Sequence, residues 1–194
     1  MELARRFSHG IAESVLFERG LDGMYAEVRE TIRAARVELG LAGATSELRA
    51  VRERILRQLA GHGWEIDTGI FPASAPTRIQ RGHYRLDASK RLGAGAALGI
   101  ICHFGSAEFT VRKRMLVSEA VRRGIVDCGL VALITRDARP YLAGRSACYE
   151  QALRFLRAYG QSGFAGIPII LWGLAPEATQ LEFAPATGRR AEKW

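Results

Sequence analysis

The stretch that most constrains this chain is residues 84–106, Tyr84 to Ser106. A short strand carrying Asp87 runs into the turn Gly93-Ala94-Gly95, and an apolar strand, Leu98 to Phe104, follows and ends at Gly105. Two strand-like runs separated by a glycine-rich turn are the sequence form of a β-hairpin. A carboxylate, a lysine, a cysteine and a histidine (Asp87, Lys90, Cys102 and His103) also converge here and nowhere else in the chain.

The segments on either side supply helices and further strands. Residues 21–39 place Met24, Val28, Ile32 and Leu39 near one helical face and Arg29, Arg33 and Arg36 near another, with Gly40 positioned to end the helix. Thr45 or Ser46 can cap a second helix whose apolar stripe is Leu48, Val51, Ile55 and Leu59, ending at Gly61. The chain therefore reads as opening on two helices. Residues 62–83, with Trp64, Gly69, Pro72 and Pro76, read as a strand and a long connection into the hairpin. Beyond it, Phe109 to Arg123 is helical in period, Ile125 to Thr135 is an apolar β-branched run, Ser146 to Tyr159 is a helix, and Ile167 to Leu174 is the last strong strand. Strands separated by helices predict an α/β fold, a mixed sheet covered on both faces with Leu98–Phe104 central.

A length of 194 residues with 48% hydrophobic side chains suits one domain with a sizeable core. The expected organisation is N-terminal helices over 1–61, a core over 62–176 and a tail over 177–194, without repeats or linkers. No run approaches the roughly 18 apolar residues of a bilayer span. The start, Met1 to Phe7, lacks the apolar core of a signal peptide, and three scattered cysteines (Cys102, Cys128, Cys148) suit buried thiols. The expectation is a cytoplasmic protein with no membrane partner.

The net charge of +8 is unevenly spread. Residues 1–60 are near balance, with ten basic and nine acidic side chains. Residues 78–123 hold ten basic residues (Arg78, Arg81, Arg85, Lys90, Arg91, Arg112, Lys113, Arg114, Arg122 and Arg123) against three acids, a local surplus of +7. Such a patch attracts a polyanion, and nucleic acid is the commonest one that a cytoplasmic protein meets. The competing reading is general arginine enrichment of solvated faces, since 25 of the 28 basic residues are arginine.

Several chemistries are set aside by spacing. There is no phosphate loop and no Cys-x-x-Cys pair. Gly93, Gly95 and Gly99 are one residue too widely spaced for a dinucleotide loop, and a strand follows where that motif needs a helix N-terminus. Cys102 and His103, adjacent on a strand, point to opposite faces and do not make a thiol–imidazole pair.

The order of hairpin, basic helix, apolar strand, Tyr149-Glu150-Gln151 helix and Ile167-Pro168-Ile169-Ile170-Leu171-Trp172-Gly173-Leu174 strand resembles the BglII-type restriction endonucleases of the PD-(D/E)xK nuclease superfamily, over roughly residues 60–176. In that family an acidic strand is followed by one reading Glu-Val-Gln-Phe-Gly or a close variant. Here the second strand is Ile101-Cys102-His103-Phe104-Gly105: the Phe-Gly pair is kept, Ile101 stands at the catalytic glutamate position, and His103 takes the Gln/Lys place. Asp87, followed by Lys90, matches the first carboxylate only across a turn longer than the family's; an ungapped match puts Leu92 there instead.

The resemblance implies a Mg²⁺- or Mn²⁺-dependent phosphodiesterase acting as a homodimer on two-fold symmetric DNA. Such chemistry needs two or more hard oxygen ligands on the metal. With Ile101 and an imidazole across from it, Asp87 is the one strong ligand, and Mg²⁺ accepts nitrogen poorly. Two readings of the site follow. In one, catalysis is lost or impaired and Arg78, Arg81, Arg85, Lys90, Arg91, Arg112, Lys113 and Arg114 still grip DNA. In the other, Glu108 or Glu119 migrates in, or His103 favours Mn²⁺, and a rearranged endonuclease still cuts. Asp87 also has a purely structural reading, a surface turn carboxylate paired with Arg85 or Lys90, and a regulatory domain without a DNA partner remains a third function.

Overall fold

The computed structural model of the chain describes residues 2–35, 44–71, 84–104, 110–136, 148–159 and 166–175. Its elements run β1 (Glu2–His9), α1 (Ala12–Glu18), α2 (Asp22–Ala34), α3 (Ala44–Gly61), β2 (Glu65–Gly69), β3 (Arg85–Arg91), β4 (Ala97–Cys102), α4 (Thr110–Arg122), β5 (Cys128–Ile134), α5 (Tyr149–Tyr159) and β6 (Ile169–Ala175). The six strands form one sheet in the order β1-β6-β5-β4-β3-β2. β4, β5 and β6 are parallel, joined by crossovers that contain α4 and α5, while β1, β2 and β3 pair antiparallel to their neighbours. The mixed α/β sheet expected from the sequence is the observed one, with β4 in its interior.

β4 and β5 are buried along their whole length, and their side chains alternate between two cores. Leu98, Ile100 and Cys102 face a layer made with α1, α2 and α3; Ala97 and Ile101 face a second layer with Leu116, Val117 and Ala120 of α4 and Ala152 and Leu156 of α5. This two-faced burial explains why these strands read as continuous apolar runs. Gly129 on β5 lets α4 approach closely, since a Cβ there would run into Val117. In the hairpin turn, Gly93 takes φ +57°, and Leu92 N–H donates to Ala96 O at 2.8 Å.

The first layer is pinned by polar contacts as well as apolar ones. The fully buried Trp172 of β6 donates through Nε1 to the Tyr25 hydroxyl of α2 at 2.9 Å, with the rings edge to face at 5.0 Å. Glu27, also on α2, accepts from Trp64 Nε1 and from Lys90 Nζ. Burial works against its charge, but those donors outweigh it and hold its carboxyl below the usual range.

The expectation that the chain opens on helices is corrected by β1. Its residues are largely polar and half-exposed, as an edge strand paired on one side allows, and a register shift between Leu3 and Arg5 sends Leu3 and Phe7 to opposite cores, so no period of two marks the strand. The short α1 is a second element that periodicity does not reveal. Gly40 lies outside the described residues, and α2 ends at Ala34. No described helix is long and apolar enough to cross a membrane.

Candidate functional site

A regular strand would put Leu86 and Ala88, two residues apart, on one face. Here Leu86 packs in the α4 layer and Ala88 in the α3 layer, so β3 changes face at Asp87. On β2 the same level is marked by Asp67, whose φ of +56° is the one positive value at a non-glycine among the described residues. It falls between the register pairs Ile66↔Ala88 and Thr68↔Leu86. A local irregularity of this kind re-aims a side chain and interrupts the ladder.

The re-aimed side chain is Asp87. Its carboxylate turns toward α3, where Arg52 donates from Nη2 to Oδ1 at 2.7 Å and from Nε to Oδ2 at 3.2 Å. The backbone N–H of Cys102 donates to Oδ2 at 2.8 Å, replacing a ladder bond that β3 does not provide at this level. Asp87's side chain is 4% exposed and that of Arg52 34%. Burial disfavours the Arg52 charge, yet the hydrogen bonds and field of Asp87, helped by Asp67, raise the guanidinium pKa above its ordinary value. The Cys102 thiol is pushed far up, first by complete burial and then by the neighbouring Asp87 charge, which keeps it a neutral thiol and no nucleophile.

Asp87 is thus buried and tied to Arg52, and the reading of it as a surface carboxylate paired with Arg85 or Lys90 is corrected. Arg85 donates to Asp67 O at 3.2 Å. Lys90 spends its donors on both oxygens of Glu27 and on His62 O. Arg91 bridges the hairpin turn to the start of β5, through Gly95 O and Ile125 O. Lys90 is therefore a half-buried strut to α2, while Arg91 clasps the turn from the exposed face.

The remaining expected residues scatter. Ile101 lies in the α4 layer while Asp87's carboxylate points to the α3 layer, so the two do not face each other. His103, buried just beyond β4, donates its backbone N–H to Ala132 O. Glu119, on α4, accepts from Arg123 Nε at 2.6 Å, on the far side of the sheet from Arg52. Arg123 in turn lies 4.5 Å from the Phe71 ring centroid. Arg78, Arg81 and Glu108 lie outside the described residues. Arg112, Lys113 and Arg114 sit in the first turns of α4, and their side chains also lie outside the description.

Arg52 is the site residue that reading the sequence missed. At the helical period it falls roughly 40° from Leu48, beyond the arc of Val51, Ile55 and Leu59 and between Leu59 and the buried Leu56. An arginine within an apolar stripe signals a buried counter-charge, and that signal is present in the residues alone.

The donor set does not fit a Mg²⁺ ion. Both Asp87 oxygens are engaged, and among the described residues no group of three His, Cys, Asp or Glu side chains could hold a metal. A hard cation of this kind demands several oxygen ligands in octahedral geometry.

The chain superposes on the crystal structure of restriction endonuclease BglII bound to a DNA 16-mer with a TM-score of 0.70, at 15% identity, over 91% of this chain and 79% of that one. The fold is that of BglII. The free form of BglII gives a TM-score of 0.64 at 17% identity, covering 91% and 81%. No protein-family model matches the chain, and no curated protein does. At this identity the likeness is one of fold, and the Arg52–Asp87 pair is a property of this sequence.

Proposed function

We propose that the chain binds duplex DNA, as a homodimer in the cytoplasm, on a scaffold of the restriction-endonuclease lineage, and that its phosphodiester hydrolysis is lost or impaired. The observation that carries the chemical half is the Asp87 carboxylate, closed by Arg52 and the Cys102 N–H. The binding half rests on the fold shared with a protein crystallised on DNA and on the +7 surplus of residues 78–123. Lys90 and Arg123 pair with Glu27 and Glu119, whereas the exposed Arg85 and Arg91 donate to backbone carbonyls, which leaves Arg85, Arg91, Arg112, Lys113 and Arg114, with Arg78 and Arg81 in the adjoining connection, as the candidates for phosphate contact.

Fluorescence anisotropy on a labelled duplex, in EDTA and across a salt series, tests this. Affinity should fall linearly on a log–log plot against salt, with two chains per two-fold symmetric duplex. Replacing Arg112, Lys113 and Arg114 together by alanine should reduce the slope by roughly 5.4, about 0.9 for each of the six phosphates that the two chains no longer neutralise. The same protein should leave the duplex intact in Mg²⁺. Cutting that disappears in Glu108→Ala or Glu119→Ala would replace this proposal with a rearranged endonuclease, and absence of binding at low salt would leave the regulatory domain.

A further inference from the structure

Arg52 does for Asp87 what a bound cation does for a carboxylate at a metal centre. It brings a full positive charge to both oxygens, at 2.7 and 3.2 Å, from a helix packed over the strand. The side chain is two-thirds covered, and its charge is stabilised by the partner it faces. A guanidinium is planar and always charged, and its fork matches a carboxylate bidentately, so it neutralises a buried acid without any ion from solution. The third contact, from the Cys102 N–H, anchors the carboxylate to β4, whose Ile101 is turned to the opposite layer.

We infer that Arg52 stands in the place of a divalent cation at Asp87, so that the site is built to be complete, charged and folded without metal. The inference concerns the site of the proposed function but rests on the ion pair alone, and it holds whether or not the chain binds DNA. It makes Arg52 a positioning residue that keeps the β3–β4 hairpin in register with α3.

The test uses the full chain and Mn²⁺ as the probe. In wild type, electron paramagnetic resonance titration should show no saturable Mn²⁺ site that Asp87→Asn removes, and the melting temperature should be the same in EDTA and in millimolar MnCl₂. In Arg52→Gln the buried carboxylate loses the guanidinium that faces it. The melting temperature should drop by the same amount in EDTA and in MnCl₂, because Asp87 does not bring the several oxygen ligands that the ion needs. Arg52→Gln/Asp87→Asn should recover part of the loss, because the charge that Arg52 faced is gone. A saturable wild-type site that disappears in Asp87→Asn overturns the inference, as does an Arg52→Gln protein as stable as wild type or a double variant no more stable than Arg52→Gln. Should Arg52→Gln fail to fold, the wild-type titration alone decides. DNA binding by wild type in EDTA, measured alongside, reports on the proposed function separately.

Discussion

Removing the Asp87 carboxylate separates a structural acid from a catalytic one, because the two respond with opposite signs. Catalytic carboxylates held in readiness for a ligand are commonly a strain on the fold, and activity and stability trade against each other at such positions. Asp87 has the reverse environment: three donors converge on it and its side chain is 4% exposed. Asp87→Ala would leave the Cys102 N–H unsatisfied, at about 1–3 kcal/mol, and Arg52 without its partner. Arg52 keeps 34% exposure and can swing toward water, which trims the second penalty. The sum falls at about 3–5 kcal/mol, the range for breaking a buried pair by deleting one member. Asp87→Asn retains an acceptor for Cys102 but loses the charge-assisted bonds, at about 1.5–3 kcal/mol.

Against a total stability of about 5–15 kcal/mol these are large fractions, so urea denaturation and thermal melting in EDTA resolve them readily. For a chain of this length each kcal/mol moves the midpoint by about 2–4 °C, which places Asp87→Ala roughly 6–20 °C below wild type and Asp87→Asn between the two. An alanine variant as stable as wild type, or more so, would refute the ion-pair account and return Asp87 to a catalytic role.

Two other outcomes follow from the packing. Gly129→Ala drives a methyl into Val117, buried between β5 and α4, and should cost about 1–3 kcal/mol by overpacking, less a backbone gain of about 0.4–1 kcal/mol; adding Val117→Ala should recover part of that cost in urea titrations, and strict additivity of the two would disprove the close approach. Burial pushes the Cys128 thiol from its ordinary 9.0 to about 12, so the folded state keeps it neutral where the unfolded chain ionises it. Its contribution is complete below about pH 9 and declines at about 1.4 kcal/mol per unit as pH rises from there toward 12; the buried Cys102 thiol adds a like decline, so Cys128→Ala should make the fall shallower without removing it in denaturation midpoints taken at pH 8, 9.5 and 11.

What the sequence disclosed follows from how strongly periodicity marks burial. β4, β5 and β6 are covered on both faces and announce themselves as apolar runs, and α2 and α3 carry stripes that the structure buries residue for residue at Met24, Val28, Ile32, Leu48, Val51, Ile55 and Leu59. β1 was illegible because an edge strand hydrogen-bonded on one side can be polar throughout. The placement of Asp87 was illegible for a different reason. Pairing Ile101 with Asp87 assumes strict alternation along β3, and alternation breaks at Asp87 itself, where Leu86 and Ala88 go to opposite faces. One slipped residue leaves the carboxylate in the α3 layer, against Arg52. Lys90 and Arg91 show what charge counted along the chain leaves out: the fold places Glu27 and the His62 carbonyl within reach of Lys90, and two turn carbonyls within reach of the exposed Arg91. A basic residue in a strand next to a tight turn is therefore weak evidence for a polyanion until its carbonyl neighbours are known, whereas a basic residue inside a helical apolar stripe, as Arg52 is, points to a buried acid that the same sequence must supply.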